Sequence, residues 1–337
     1  MKIMKTLKKQ IFSMALFMVI SILFCLNVNA QPTNPFQGNT VSPLGMGNTG
    51  SYGTMDPGSI ALGPSLSRYG WIRNDLGSRS GLNVIVTAST VNIRSGPSVD
   101  FEALTTASMG SEFVFAGEEN GWYKLDLQAR PQVTPVSSDK IQQAQDNFLK
   151  AYKVYTSSVL KNGKGSTQSK AALKEFQSTY ALYKVALKGS QPLADVKSGR
   201  AATSKVVVSK ANFTATVYSN GQIVRVFPIA YGSNPDGLNK VKQGDCRTPE
   251  GNFEFTRKVV NPAYKGVPWS PSSPVGTRWL QLNAGGGSIA LHGTNAPGSI
   301  GTRASHGCVR MYTKDAEELF DLIKVGTPVI IKPVKEG

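Results

Sequence analysis

Two stripes of bulky side chains stand at a constant offset in the middle of the chain. Phe148, Tyr152, Tyr155 and Val159 return as Phe176, Tyr180, Tyr183 and Leu187, 28 residues later. Steps of three and four put each stripe on one helical face. Asn162-Gly163-Lys164-Gly165 breaks the pattern between them. An offset of four heptads with a turn inside predicts an antiparallel helical hairpin, within a 137–200 hairpin-and-linker segment, whose aromatic seams face each other. Such a stripe reads as a core seam rather than a ligand site. The same segment carries 11 basic and 4 acidic side chains. Its outer face is therefore either simply solvated or an electrostatic docking surface for an anionic polymer.

Both flanks of the hairpin carry strand periodicity instead. Upstream, Val84, Val86, Val91 and Ile93 alternate, and turn residues follow at Ser95-Gly96-Pro97-Ser98. Short strands with tight turns make a small barrel over residues 83–130. Downstream, Val206-Val207-Val208, Phe213 to Tyr218 and Ile223 to Ile229 read as strands, with Asn220-Gly221 as a hairpin turn between the last two. Further strands are expected at Asn252 to Val260, Arg278 to Leu282, Ile289 to His292 and Pro328 to Lys332, and a helix capped by Thr313 over Thr313 to Lys324. The chain is thus multidomain and mostly β: a barrel, a helical hairpin, then a β-rich domain over 203–333. Its 337 residues, 40% hydrophobic, suffice for two or three cores.

The start of the chain reads as an export signal. Residues 1–10 are basic, Ile11 to Leu26 are apolar apart from Ser13 and Ser21, and Asn27-Val28-Asn29-Ala30 ends on a small residue. Cleavage after Ala30 is expected. An uncleaved anchor is the weaker reading, because the apolar run falls short of the ~20 residues that span a bilayer. From Gln31 to Leu82 half of the positions are Gly, Pro, Ser or Asn, which predicts a disordered leader. The whole chain carries +16. Without the four lysines of the signal this is +12, favouring an anionic partner; export points to a cell-wall polymer in the periplasm or wall and away from nucleic acid. No stable protein partner is predicted.

Chemistry concentrates in one place. The chain has two histidines, His292 and His306, and both lie close to Cys308 in sequence. A thiol beside an imidazole is the minimum apparatus for thiolate catalysis, since the ring takes the thiol proton and returns it to the leaving amine. Gly307 permits close backbone approach, and the N–H groups around Cys308 suit an oxyanion. Between Glu254 and Asp315 there is no acidic residue, while Arg257, Lys258, Lys265, Arg278, Arg303, Arg310 and Lys314 are all present. That surround favours a thiolate and a carboxylate-bearing substrate. It also leaves the histidine to be oriented by a main-chain carbonyl or by a residue from elsewhere. A zinc site built from His292, His306, Cys308 and Cys246 is the rival reading, disfavoured because no paired-cysteine spacing occurs.

Two resemblances sharpen this picture. Val91-Asn92-Ile93-Arg94-Ser95-Gly96-Pro97 and Gly121-Trp122-Tyr123-Lys124 resemble bacterial SH3 domains, which implies an SH3-like barrel with a cell-wall-binding role. Leu291-His292-Gly293-Thr294 and Ser305-His306-Gly307-Cys308-Val309-Arg310 resemble the L,D-transpeptidase (YkuD-type) catalytic domain, as does Gly244-Asp245-Cys246-Arg247-Thr248-Pro249-Glu250-Gly251. This resemblance implies Cys308 as nucleophile, His292 as base and the Gly293 carbonyl as its anchor. His306 and Gly307 would shape the oxyanion site, while Arg310, with Ser305 and Arg303, would bind substrate. No cofactor and no metal are implied, and no catalytic role carries over to Cys246. The implied substrate is the peptidoglycan stem peptide, joined in 3-3 crosslinks through a thioester. L,D-carboxypeptidase activity, with water as acceptor, stays open, as does a lapsed enzyme that only binds the wall.

Overall fold

The computed structural model describes residues 67–131, 136–234 and 244–334. The expected signal and most of the expected leader lie outside the described residues. Among the described residues, no helix is long and apolar enough to cross a membrane.

The first unit is an antiparallel sheet of β1 (Tyr69–Arg73), β2 (Gly77–Ser80), β3 (Asn83–Val86), β4 (Thr90–Arg94), β5 (Ala103–Ser108), β6 (Glu112–Glu119) and β7 (Trp122–Asp126). Its strand order is β2-β3-β6-β7-β1-β4-β5. Ile72, Val84, Val86, Val91, Ile93, Ala107, Phe113 and Leu125 form its own small core. This corrects the expected leader boundary at Leu82, because β1 lies in the middle of the sheet between β7 and β4. The reason is a glycine on the inward face of β1. Gly70 and Ile72 both point inward, so only one bulky residue marks the period. A Cβ at Gly70 would come within 2.4 Å of the Ile93 side chain.

The helical segment comprises α1 (Ser138–Asn162), α2 (Thr167–Ala186) and the short α3 (Gln191–Lys197). Gly163 takes a left-handed φ of 77° where α1 ends, and the Ser166 hydroxyl caps α2 by accepting from the Ser169 N–H at 3.1 Å. Phe148, Tyr152, Tyr155, Phe176, Tyr180 and Tyr183 are all buried, with neighbouring ring centroids between 4.6 and 6.4 Å apart. The two seams face each other as expected, Phe148 packing on Phe176, Tyr180 and Tyr183, and Tyr152 and Tyr155 packing on Phe176, but they also reach beyond the hairpin. Four tyrosines use their hydroxyls outside the hairpin, among them Tyr183, whose Oη accepts from the Val226 N–H at 3.2 Å. Tyr152 Oη donates toward the carbonyls of Phe213 (3.0 Å) and Ile229 (3.1 Å), Tyr155 Oη to that of Ile300, and Tyr180 Oη to Asp315 at 2.8 Å. The seam is therefore one wall of the C-terminal domain's core.

That domain contains β8 (Lys205–Ser209), β9 (Thr214–Ser219), β10 (Gln222–Gly232), β11 (Gly251–Val260), β12 (Arg278–Leu282) and β13 (Ala290–His292). After these come β14 (Arg303–Ser305), β15 (Val309–Met311), α4 (Thr313–Leu322) and β16 (Pro328–Lys332). The strands run β14-β10-β15-β13-β12-β11-β16-β8-β9, and a further β9–β10 pairing closes the run on itself. Apolar residues of these strands, among them Val206, Val208, Phe227, Leu280, Leu291, Val309 and Val329, are buried with the hairpin and with Leu319 and Leu322 of α4 in one cluster. Thr313 is the first residue of α4 rather than its cap, and its hydroxyl donates instead to the Thr294 carbonyl at 3.3 Å. That bond ties the helix to the turn that follows His292.

Candidate active site

The site is assembled by three neighbouring strands. β13 pairs antiparallel with β12, aligning His292 with Trp279, and parallel with β15, aligning His292 with Arg310. Cys308 immediately precedes β15. The two motifs separated in the sequence thus meet on adjacent strands, with the imidazole more deeply buried than the thiol. His292 is 5% exposed, whereas Cys308 is half-buried.

His292 is held on two sides. Its ring stacks on Trp279 with centroids 5.3 Å apart and planes 15° from parallel. Its Nδ1 lies 2.6 Å from the Gly293 carbonyl oxygen. A carbonyl only accepts, so Nδ1 carries the proton and Nε2 keeps its lone pair. Burial pushes the His292 pKa down to about 4; the Gly293 carbonyl opposes this shift and the Arg310 charge adds to it. The imidazole is therefore neutral at pH 7. Gly293 itself is pinned by a neighbour, since Gly276 takes a φ of 62° and a Cβ there would stand 2.8 Å from the Gly293 Cα.

The turn before Cys308 is also fixed by hydrogen bonds. Ser305 Oγ donates to the Cys308 carbonyl at 2.5 Å and accepts from the Gly307 N–H at 3.1 Å. Ser305 is buried. This corrects its expected place among substrate-binding residues, because the hydroxyl is committed to the main chain of its own turn. Gly307 is buried with a φ of 132°, a conformation that favours glycine. The Cys308 thiol reaches toward the Ser288 carbonyl at 3.6 Å. His306 lies on the exposed side, and partial desolvation followed by the charges of Arg310 and Lys265 lowers its pKa.

Arg310 is half-buried, and desolvation lowers its pKa while Cys308 and Tyr264 act in the opposite direction. The cation and a Cys308 thiolate therefore attract each other. Arg303 lies on β14 beside β10, with its Nε 3.3 Å from the Tyr231 hydroxyl. Cys246, the remaining described cysteine, is buried with its thiol toward the Gly244 carbonyl at 3.7 Å. Among the described residues, no three His, Cys, Asp or Glu side chains gather as a metal would require.

Two neighbours of the site escaped the sequence reading, Trp279 and Ser288, and so did the buried Thr248, whose hydroxyl donates to the Gly307 carbonyl at 2.8 Å. Trp279 and Ser288 act through a ring face and a main-chain oxygen, which leave no motif. Thr248 stood inside a recognised signature, but nothing in the spacing said what its hydroxyl would touch.

Two known domain families match the chain. Residues 203–331 match the L,D-transpeptidase catalytic domain, and residues 89–130 match the bacterial SH3 domain. The Bacillus subtilis protein YqjB, named as an L,D-transpeptidase, is 36% identical over 132 residues, which cover 37% of this chain and 69% of that protein. YkuD of Bacillus licheniformis, named likewise, is 33% identical over 129 residues, covering 38% of this chain and 66% of its own length. A solved L,D-transpeptidase from Mycobacterium smegmatis aligns at 24% identity over 39% of this chain and 59% of its own, with a TM-score of 0.30. With the paired His292 and Cys308 motifs on adjacent strands and an SH3 domain upstream, the chain belongs to the L,D-transpeptidase (YkuD) catalytic-domain family.

Proposed function

We propose that the protein is an exported peptidoglycan L,D-transpeptidase that works through a thioester on Cys308. One observation carries the reading: the strand ending in His292 lies parallel to the strand that Cys308 precedes, with the imidazole's Nδ1 proton already engaged by Gly293. Only Nε2 is left to accept the thiol proton. The sulfur attacks the carbonyl between the third residue and the terminal D-Ala of a stem tetrapeptide, and the main-chain N–H of Cys308 would face the resulting oxyanion. Collapse breaks the C–N bond, and the proton on His292 passes to the departing D-Ala amine. An amine of a second stem peptide then attacks the thioester, giving a 3-3 crosslink and returning the thiol. Arg310 and Arg303 supply the positive charge that would hold a substrate carboxylate. The SH3 domain and the basic hairpin face would hold the anionic wall polymer.

Mass spectrometry of the full-length protein with a disaccharide tetrapeptide tests this. A thioester adduct and free D-Ala are expected, and both should vanish in Cys308→Ala. An adduct persisting in that variant would move the nucleophile to Cys246. A 3-3 linked dimer identifies the acceptor as an amine, whereas tripeptide alone identifies it as water.

A further inference from the structure

We propose that Thr248 is a positioning residue for the oxyanion site, acting through the peptide between Gly307 and Cys308. The inference rests on the reading of Cys308 as nucleophile. Thr248 is 1% exposed and lies far from the catalytic motif in sequence. Its Oγ1 accepts from the Gly232 N–H at 2.9 Å and donates to the Gly307 carbonyl at 2.8 Å. The first bond orients the hydroxyl, so its single proton is committed to Gly307. Behind it, Lys210 donates from Nζ to the Thr248 carbonyl at 3.3 Å; this lysine is 1% exposed and ion-paired with Glu250. Such a buried cation is costly unless fully paired, and here its bond to the Thr248 carbonyl holds the residue that grips the turn from the domain interior.

The consequence follows from peptide planarity. In a trans peptide the C=O and the next N–H point in opposite directions within one plane. Holding the Gly307 oxygen from the domain interior therefore turns the Cys308 N–H outward, toward the carbonyl under attack. Ser305 fixes the Cys308 carbonyl on the other side of the same residue. The nucleophile is thus clamped between two hydroxyls, and the Thr248 hydroxyl is the one that sets the oxyanion donor.

Single-turnover acylation of the full-length protein by a disaccharide tetrapeptide tests the role, with alkylation of Cys308 by iodoacetamide, followed at the Cys308 peptide, as its counterpart. Alkylation needs the thiolate and His292 but develops no oxyanion. In Thr248→Val, acylation should slow by about 10- to 100-fold, somewhat less than the ~10²–10³-fold cost of deleting an oxyanion donor. KM and the alkylation rate should hold, and Thr248→Ser should recover most of the acylation. Equal acylation in the valine variant and the wild type, a parallel fall in acylation and alkylation, or no rescue by serine would each overturn the proposal. Thr248→Ala repeats the test if valine prevents folding, and loss of the fold in both would make Thr248 structural only and overturn it as well. Adduct formation in Cys308→Ala would instead strike at the nucleophile assignment itself.

Discussion

At the scale of single residues, the depressed pKa of His292 makes a testable statement about pH. An imidazole that must be neutral to act, and that protonates only near pH 4, should keep acylation on a plateau well below pH 6.5. The acid limb should then appear between about pH 5 and 4. Burial is the main cause, with the Arg310 charge a lesser one, so Arg310→Met should move the limb upward by less than the full distance to 6.5. A wild-type limb at 6.5 would mean that the ring is solvated in the working enzyme. The same shift bears on stability. The unfolded chain binds this proton below about pH 6.5 and the folded chain only below about 4, so stability present above the first value is lost as pH falls toward the second. His292→Ala should slow acylation by about 10²–10⁴-fold, the usual range for a general base, and His306→Ala by less. Much of this site was legible. His292, His306 and Cys308 stood out because the chain has so few residues able to do such chemistry. Gly276 was not legible, since its importance is a 2.8 Å approach to Gly293 across a loop. Gly276→Ala should displace the Gly293 carbonyl and lower the acylation rate toward that of His292→Ala, measured in the same single-turnover assay.

At the scale of elements, the link between hairpin and C-terminal domain is electrostatic as well as apolar. Asp315, fully buried at the start of α4, accepts from Tyr180 and Lys184 at 2.8 Å each and lies 4.0 Å from Arg225. Arg225, itself 1% exposed, also bonds Glu318 at 3.2 Å and donates to the Tyr180 hydroxyl at 3.1 Å. Burial works against charging Glu318, but the Arg225, Lys184 and Lys197 cations together hold its carboxyl below the usual carboxylate range. Asp315→Asn removes one anion from a buried set of charges. A loss of about 3–5 kcal/mol is expected, the scale for an uncompensated buried ion, measured from urea unfolding. A loss below 1 kcal/mol would mean that water already screens the cluster. The sequence announced the helices through their stepping tyrosines but not this network. Hydroxyls that bond across 135 residues of chain leave no local period. The short strands β14 and β15 were missed as strands for a related reason. Each is three residues long, too short for alternation to register; β14 is held in place by β10, and β15 by β10 and β13.

At the scale of the whole molecule, the order of segments suggests a catalytic domain that stands alone behind two attachments, but the packing separates those attachments. The SH3 domain has a core of its own, and it meets the rest through Ile85 and Met109, which join the larger cluster, and through the Lys188–Glu112 ion pair. The hairpin has no such independence. Its six buried rings share one core with β8 to β16, and burying a large apolar side chain is worth ~1.5–3 kcal/mol. Even half of that sum rivals the ~5–15 kcal/mol net stability of an ordinary domain. Deleting residues 31–131 should therefore leave a folded protein that Cys308 chemistry can still label with a carbapenem, while binding to purified sacculi falls. The binding that remains should weaken with added salt, because the basic hairpin face is still present and exposed charges are screened beyond ~10 Å at 0.1 M. Deleting residues 31–200 should go further and abolish labelling, with the product recovered as aggregate or molten chain by near-UV circular dichroism. A pull-down over a salt series together with labelling of both truncations measures the division directly. Full labelling by the shorter protein would show that the tyrosine wall is dispensable to the catalytic fold, and unchanged sacculus binding by the longer one would make the SH3 domain a spacer.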